Sequence, residues 1–277
     1  MSTLTCAAAP GADDTPIDQE AQLVLLRHHL KHLKLPTIAR ECQKEARLAA
    51  ERRQDHLGYL CRLVELECID RERRLIERRI KAARFPATKS IDSYDFSVIP
   101  SVNRPLIQQL TRCEWIDKRE NILLLGNSGT GKTHLALGLA LAACQRGYRV
   151  LWCSVAALVH EMLEAIDERR LLRLQKTIAR AQLLILDELG YVPLSKTGAE
   201  LLFEIISARY ETTSTCITSN LPFDEWTQVF GCQRLTGALL DRITHHAHII
   251  SCNGDSYRLT DAKKRRTKGK GKAPDED

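Results

Sequence analysis

The chain has 277 residues, 44% of them hydrophobic and 27% charged, which is typical of a soluble globular protein with one large or two ordinary domains. Its ten cysteines form no CxxC pair, so we expect buried free thiols and not a disulfide framework. We find neither a signal peptide nor a run of about 18 apolar residues that could form a membrane helix, so we expect a cytoplasmic protein. The net charge of +6 is concentrated in two flanks, +7 over residues 27–84 (16 basic, 9 acidic) and +4 over residues 258–277 (8 basic, 4 acidic), which suggests a polyanionic partner such as nucleic acid.

The first part of the chain predicts a small, all-helical domain over residues 15–85. Residues 1–14 are small and polar and are predicted to be a disordered leader. Beyond them, apolar residues recur at helical spacing, and Pro36 is expected to end the first helix. The predicted helices run from Asp18 to about Leu35, with Leu23, Leu26, Leu30 and Leu33 on one face, from Thr37 to about Arg53, and from Asp55 to about Arg84, with Leu57, Leu60 and Val64 among the residues of its apolar face.

After Pro86 the pattern changes to that of an α/β domain. Residues 86–103 read as a linker lying on the next domain, and residues 104–261 alternate short apolar runs with helical segments. Such alternation predicts a five-stranded parallel sheet covered by helices on both faces. The runs lie at 121–125, 149–153, 182–186, 215–219 and 247–251. Residues 262–277, basic and then acidic, are predicted to be a disordered tail.

A phosphate-binding loop follows the first predicted strand. The segment GNSGTGKT at 126–133 fits GxxxxGK[ST], and it lies between a strand and a helix, as that motif requires. Its backbone N–H groups and the helix N-terminus would face the phosphates of ATP, and Lys132 would reach the β- and γ-phosphates. The candidate nucleotide-binding residues here are Gly126, Asn127, Ser128, Gly129, Thr130, Gly131, Lys132, Thr133 and His134.

Two carboxylates end the third predicted strand. An apolar run delivers Asp187 and Glu188 to the carboxyl edge of the sheet, where ligands of parallel sheets bind. Thr133 and Asp187 are predicted to hold Mg²⁺, and Glu188 to polarise the water that attacks the γ-phosphate. Asn220, at the end of the fourth strand, could orient the same water or simply begin a turn before Leu221-Pro222, and the spacing alone leaves both readings open.

At this point the sequence resembles AAA+ ATPases, specifically the IstB-like/DnaC-like branch that is similar to DnaA. The resemblance covers roughly residues 15–260. It is carried by GNSGTGKTHLA from 126, LLILDELGY at 183–191, ITSNLP at 217–222, LLDRITHHAHII at 239–250 and GDSYR at 254–258. In addition, the helical N-terminal domain, which ends in IKAARFP at 80–86, looks like that of the IstB-type proteins encoded beside a transposase in bacterial insertion sequences.

The resemblance implies roles for three further residues. Asn220 matches the sensor 1 residue, and Arg242 matches an arginine finger that completes the ATP site of a neighbouring subunit. Arg258 matches a sensor 2 arginine that contacts phosphate within its own subunit. A planar, permanently charged guanidinium suits the charge that builds on the phosphoryl oxygens. The implied partner is therefore a second copy of the chain, in a ring or spiral.

Two stripes of cations are candidates for contact with double-stranded DNA. The first lies on the third helix at spacings of 3, 4 and 3, and the second, at spacings of 4, 3 and 4, lies between the second and third strands. A stripe of cations can follow a phosphate backbone, although a solvated helix face has the same pattern. The stripes are Arg71, Arg74, Arg78 and Lys81, and Arg169, Arg173, Lys176 and Arg180.

The sequence thus favours an AAA+ ATPase, with ATP and Mg²⁺ as cofactors, that assembles on DNA and helps the transposase of an insertion sequence. The alternatives are a DnaC-type helicase loader and a DNA-binding module that uses ATP as a structural ligand, against which Glu188 argues. His245, His246 and His248 suggest a metal, but no carboxylate or thiol is spaced along the sequence to complete a site.

Overall fold

The computed structural model describes residues 16–254 and residue 256, without the side chains of residues 16–19. The predicted leader (1–14), the whole predicted tail (262–277) and Arg258 therefore lie outside the described residues. The chain divides into two compact units between Arg74 and Leu75. This division falls inside the third helix, about ten residues before the expected boundary at 85. No described helix is both long and apolar enough to cross a bilayer.

The first unit contains the predicted helices, α1 (Pro16–His32), α2 (Pro36–Glu51) and the beginning of α3 (His56–Ala82). Its core is small and consists of the buried residues Leu30, Ile38, Cys42 and Leu63. The predicted apolar faces are only partly buried, since Leu26 on α1, Leu33 just after its end, and Leu57, Leu60 and Val64 on α3 are exposed. Helical spacing identified the helices correctly but overstated how much of each face is covered.

Pro36 begins α2, contrary to the expectation that it ends the first helix. It occupies the first turn, where its missing N–H costs nothing. The free N–H groups of that turn, on Thr37 and Ile38, donate to the buried carboxylate of Glu67 at 2.8 and 3.1 Å. Arg74 donates to the other oxygen of Glu67 at 2.9 Å. A side chain from α3 therefore caps α2, and this fixes the packing of the two helices.

The second unit is built on a five-stranded, fully parallel sheet, and all five predicted strands are confirmed. The strands are β1 (Asn121–Leu125), β2 (Val150–Ser154), β3 (Leu183–Leu189), β4 (Ser214–Ser219) and β5 (Ala247–Ser251). Their order across the sheet is β2-β3-β4-β1-β5. The three central strands are almost completely buried, as expected for a sheet covered on both faces. The carboxyl ends of β1, β3 and β4 consequently meet at one edge.

Helices cover both faces of the sheet. The connections contain α4 (Arg104–Leu110), α5 (Glu114–Asp117), α6 (Lys132–Gln145), α7 (Val155–Asp167), α8 (Leu171–Ala179), α9 (Lys196–Arg209), α10 (Trp226–Phe230) and α11 (Gln233–Thr244). One core lies on the side of α6, and the other on the side of α7, α9 and α11. Residues 86–103 form more than a linker, because Tyr94, Ile99 and Val102 are buried in the first of these cores.

All nine described cysteines are free thiols, as the spacing predicted. Five of them are buried, including Cys144 and Cys216, but the expectation of buried thiols fails for Cys61, Cys68 and Cys232, which are exposed. The first two lie on α3, in the unit whose core is small.

Candidate nucleotide-binding site

The loop at 126–133 connects β1 to α6 through backbone geometry that requires glycine. Gly126 has φ +147° and Gly131 has φ +81°, values that residues with a side chain rarely adopt. A Cβ at Gly126 would lie 2.1 Å from the carbonyl oxygen of Cys252, just after β5. The loop therefore passes against the end of the neighbouring strand, and α6 begins at Lys132 with its free N–H groups at the carboxyl edge of the sheet. This is the geometry of an anion site.

Lys132 is buried, and its ammonium lies inside the loop. The Nζ atom donates to the carbonyl oxygens of Gly126 and Asn127, at 2.7 Å each. A buried ammonium has few other ways to be satisfied, so it holds the loop in a compact form. Phosphate oxygens bound by the loop would be within reach of the same cation.

Thr133 and Asp187 come together as the predicted magnesium ligands. The Thr133 hydroxyl donates to Oδ1 of Asp187 at 3.0 Å. Neighbouring ligands of an octahedral ion with bonds of about 2.1 Å are separated by about this distance, and hydroxyl and carboxylate oxygens are the donors that Mg²⁺ prefers. These residues therefore fit a magnesium ion bound beside the phosphates.

Glu188 departs from the strand that carries it. Its φ is +62°, in the left-handed region, and its side chain is exposed whereas Asp187 is buried. The pairing of β3 with β4 shifts register between Leu186 and Leu189. The two consecutive carboxylates consequently have different environments, and that of Glu188 can meet solvent at the edge of the sheet, as a group that polarises water must.

Asn220 directly follows β4 and is partly exposed at the same edge. The two residues before it, Thr218 and Ser219, were not singled out in the sequence. Ser219 donates to the carbonyl oxygen of Leu189 at 2.8 Å, and Thr218 donates to Asp187 at 2.5 Å. Nothing in the local sequence marks them, because their partners lie about 30 residues away on β3.

His134 contacts the segment before β1. Its Nε2 atom lies 3.0 Å from the carbonyl oxygen of Ser90 and 3.1 Å from the hydroxyl of Ser93. Tyr94, which the sequence patterns did not indicate, packs edge-on against this ring and donates to the carbonyl oxygen of Thr130 at 3.3 Å. Burial raises the pKa of Tyr94 to about 12, so its phenol stays a donor at neutral pH. The segment 90–94 therefore buttresses the phosphate-binding loop.

Of the two arginines implied by the family resemblance, the structure describes Arg242. Arg242 lies in the last turn of α11, with its guanidinium 4.9 Å from the ring centre of Phe203 and hydrogen-bonded to Ser207, both on α9. It makes no described contact with the phosphate-binding loop of its own chain. Arg258 lies outside the described residues, but Ser256 is so close to Gly129 that a Cβ there would meet its hydroxyl at 2.1 Å. The chain two residues before Arg258 thus passes against the loop.

The first cation stripe is partly engaged in holding the helical unit together. Arg71 donates to the carbonyl oxygen of Lys34 at 3.0 Å, and Arg74 is bound to Glu67. Arg78 and Lys81, further along α3, are exposed.

The second stripe is more accessible, but not all of it is helical. Arg173 and Lys176 lie on α8 and Arg180 follows it, whereas Arg169 lies in the turn before the helix, with φ +55°. The expected common face of four residues is therefore wrong for Arg169. All four side chains are exposed, and in the described part of the chain none of them makes a hydrogen bond or an ion pair.

The histidines after α11 are not the isolated group that the sequence indicated. Glu211, in the turn before β4, lies beside His245 and His246, with ligand atoms within 4.8 Å of one another, and all three are exposed. His248 lies on β5 and contacts Glu120 at 2.9 Å. The missing carboxylate thus comes from a distant part of the chain. The hydroxyl of Tyr210 forms a hydrogen bond with Nδ1 of His245 at 3.0 Å.

Comparison with known proteins identifies the family. A model of the IstB-like ATP-binding proteins matches residues 28–266. An ATP-binding protein of insertion sequence IS21 from Pseudomonas aeruginosa is 35% identical over 235 residues, which covers 85% of this chain and 89% of the relative. One of insertion sequence IS5376 from Geobacillus stearothermophilus is 35% identical over 245 residues, covering 88% and 98%.

The solved structure of AMPPCP-bound DnaA from Aquifex aeolicus has a similar fold. It matches with a TM-score of 0.51 and 20% identity, over 67% of this chain and 55% of the DnaA chain. The parallel sheet and the loop between β1 and α6 agree with the strand–loop–helix arrangement of a P-loop domain, and Asp187 and Glu188 lie near the carboxyl end of β3. The chain belongs to the family of IstB-like ATP-binding proteins.

Proposed function

We propose that this chain hydrolyses ATP with Mg²⁺, assembles on duplex DNA in its ATP-bound form and assists the transposase of an insertion sequence. The observation that carries the ATPase part is the arrangement of Lys132, Thr133, Asp187 and Glu188 at one edge of the sheet. Lys132 binds the β- and γ-phosphates, and Thr133 and Asp187 bind the magnesium ion. Glu188 polarises the attacking water, a role that a protein using ATP only as a structural ligand would not need.

The position of Arg242 supports the proposal that the chain assembles. Its guanidinium lies on the α9–α11 side and makes no described contact with the ATP site of its own chain. Lys132 is one cation at this site, and an arginine from a neighbouring copy adds a second for the charge that develops on the γ-phosphate. ATP bound between two copies then links hydrolysis to assembly and disassembly.

DNA binding is assigned to the exposed cations around α8. Arg173, Lys176 and Arg180, together with Arg169 in the preceding turn, have no protein partner in the described part of the chain, so contact with phosphates would break no existing interaction. Arg71 and Arg74 of the other stripe already hold the helical unit together. The transposase as partner is supported by the relatives, which are named as ATP-binding proteins of insertion sequences.

The test compares two matched double variants in duplex DNA binding at several salt concentrations, with ATP present. Arg173→Ala/Lys176→Ala and Arg78→Ala/Lys81→Ala each remove two exposed cations spaced three residues apart on a helix. The first should weaken binding to all duplexes alike and flatten the log–log salt dependence by about 0.9 for each phosphate that the protein no longer binds. The second should bind like the wild type.

If only the Arg78/Lys81 variant binds DNA more weakly, the DNA contact lies on α3 and not on α8. If both double variants bind DNA like the wild type, neither stripe contacts DNA. Lys132→Ala serves as the nucleotide control. If assembly on DNA needs ATP, this variant should bind duplex DNA without the ATP-dependent gain in affinity.

A further inference from the structure

Thr218 occupies the irregular position in the pairing of β3 with β4. The ladder pairs Leu186 with Ile217 and resumes with Leu189 opposite Ser219. Two residues of β3, Asp187 and Glu188, therefore face the single residue Thr218, which is the arrangement of a β-bulge. Bulges leave backbone groups without ladder partners, and here a side chain takes the place of the ladder.

The Thr218 hydroxyl binds both residues of the bulge. It accepts a hydrogen bond from the backbone N–H of Glu188 at 2.9 Å and donates its own proton to Oδ1 of Asp187 at 2.5 Å. Thr218 is buried, so water does not compete for these bonds. A hydroxyl can donate one hydrogen bond, and Thr218 donates it to the charged carboxylate of Asp187, where a hydrogen bond is strongest.

The bond from the Glu188 N–H stabilises a backbone conformation that is unfavourable by itself. For a residue with a side chain, the left-handed conformation that Glu188 adopts costs on the order of 1–2 kcal/mol. The bond from its N–H to Thr218 offsets part of this cost and sets the orientation of the peptide between Asp187 and Glu188. That orientation turns the Glu188 side chain out of the strand, toward the exposed edge.

Thr218 also sets the direction of the Asp187 carboxylate. In the described chain both donors to this group, Thr133 and Thr218, reach Oδ1. The carboxylate is thus held from two sides through one oxygen, and these two bonds fix its orientation at the edge of the sheet.

We propose that Thr218 is a positioning residue for ATP hydrolysis, holding Asp187 toward the magnesium ion and Glu188 toward the attacking water through one hydroxyl. This inference rests on the proposed ATPase activity. It predicts that loss of the hydroxyl affects the chemical step more than ATP binding, because Lys132 and the phosphate-binding loop remain unchanged.

The experiment compares Thr218→Val, which replaces the hydroxyl with a methyl group of similar size, with Thr218→Ser, which keeps the hydroxyl. Thr37→Val is the matched control, because the buried Thr37 also donates to a carboxylate, that of Asp70 at 2.9 Å, but in the helical unit. The valine variant at 218 should lower kcat at least tenfold and change the Kd of a fluorescent ATP analogue by less than about threefold. The serine variant should stay within about threefold of the wild type in both, as should the control.

A kcat within twofold of the wild type for Thr218→Val would overturn the inference. So would equal losses in the valine and serine variants, which would make the methyl packing decisive, or a loss of ATP affinity in step with kcat. If the valine variant does not fold, Thr218→Cys, with its weaker and longer hydrogen bonds, takes its place with the same expected losses.

Amide hydrogen exchange separates this inference from the ATPase proposal. The Glu188 amide should exchange faster in Thr218→Val than in the wild type or in Thr218→Ser, whether or not ATP is hydrolysed. A wild type that binds ATP without turnover would contradict the proposed function alone. Unchanged exchange at Glu188 in the valine variant would contradict the positioning role.

Discussion

Replacing Arg209 with methionine should strongly destabilise the second unit, although this residue lies in no recognised motif. The residue is 4% exposed, and the described chain contains no ion pair to its guanidinium. Burial lowers its pKa to about 10, so it remains charged at neutral pH. Its acceptors are the carbonyl oxygens of Ile178 at 3.1 Å, Ala181 at 3.0 Å and Ser214 at 2.7 Å, and the hydroxyl of Thr215 at 3.2 Å.

The expected loss follows from those four bonds. Methionine fills most of the volume but donates nothing, so all four hydrogen bonds are lost, although the carbonyl oxygen of Ile178 keeps a bond from the N–H of Ala181 at 3.1 Å. At about 1 kcal/mol for each lost hydrogen bond, the free energy of unfolding should fall by about 4 kcal/mol. With a urea m-value of about 2 kcal/mol/M, the unfolding midpoint should fall by about 2 M.

Tryptophan fluorescence during urea unfolding reports on the second structural unit, because all three tryptophans, at 115, 152 and 226, lie in it. Arg180→Met is the matched control. Arg180 is exposed at the end of α8, and its replacement should change the free energy of unfolding by less than about 0.5 kcal/mol. A loss below 1 kcal/mol for Arg209→Met, or an equal loss for the control, would refute the assignment of these bonds as a buried structural network.

Glu188→Gln should keep ATP binding but lower the rate of hydrolysis by about 10²–10⁴-fold, and a rate within twofold of the wild type would mean that another group polarises the water. Arg242→Ala should bind ATP yet not hydrolyse it, and mixing it with Lys132→Ala should restore some activity, since one interface then combines an intact arginine with an intact loop. No recovery despite measured co-assembly would count against action between subunits. Burial raises the pKa of Cys144 to about 12, above the ordinary thiol value of 9. Because only the unfolded chain loses this proton between pH 9 and 12, the free energy of unfolding should fall with rising pH there, by up to about 1.4 kcal/mol per unit, and the slope should be smaller in Cys144→Ala.

Local sequence determined much of the fold and the centre of the site. Each of the five strands is a short apolar run, and periodicity over a few residues is enough to find it. The phosphate-binding loop is equally local, because glycine backbone freedom, the lysine and the threonine lie within eight consecutive residues, Gly126 to Thr133. Asp187 and Glu188 were placed at the sheet edge because they end an apolar strand, and that placement depends only on their own segment.

Tertiary structure decided the contacts that join distant segments. The strand order puts β4 between β1 and β3, and only this brings Thr218 to the carboxylate of Asp187, 31 residues earlier. The same applies to Glu67, which caps a helix 29 to 30 residues away. In both pairs an ordinary polar residue gains its role from a partner that its own segment does not reveal.

The cation stripes also show that sequence patterns do not identify the partners of a side chain. Helical spacing correctly placed Arg71 and Arg74 on one helix, but it could not tell a phosphate ligand from a structural cation, since that depends on whether Glu67 and Lys34 lie within reach. Arg209 carried no signal at all, because its acceptors are backbone carbonyls, which every residue has. Sequence patterns indicate which residues of a segment face solvent, whereas the hydrogen-bond partners of a side chain depend on how the sheet and helices pack.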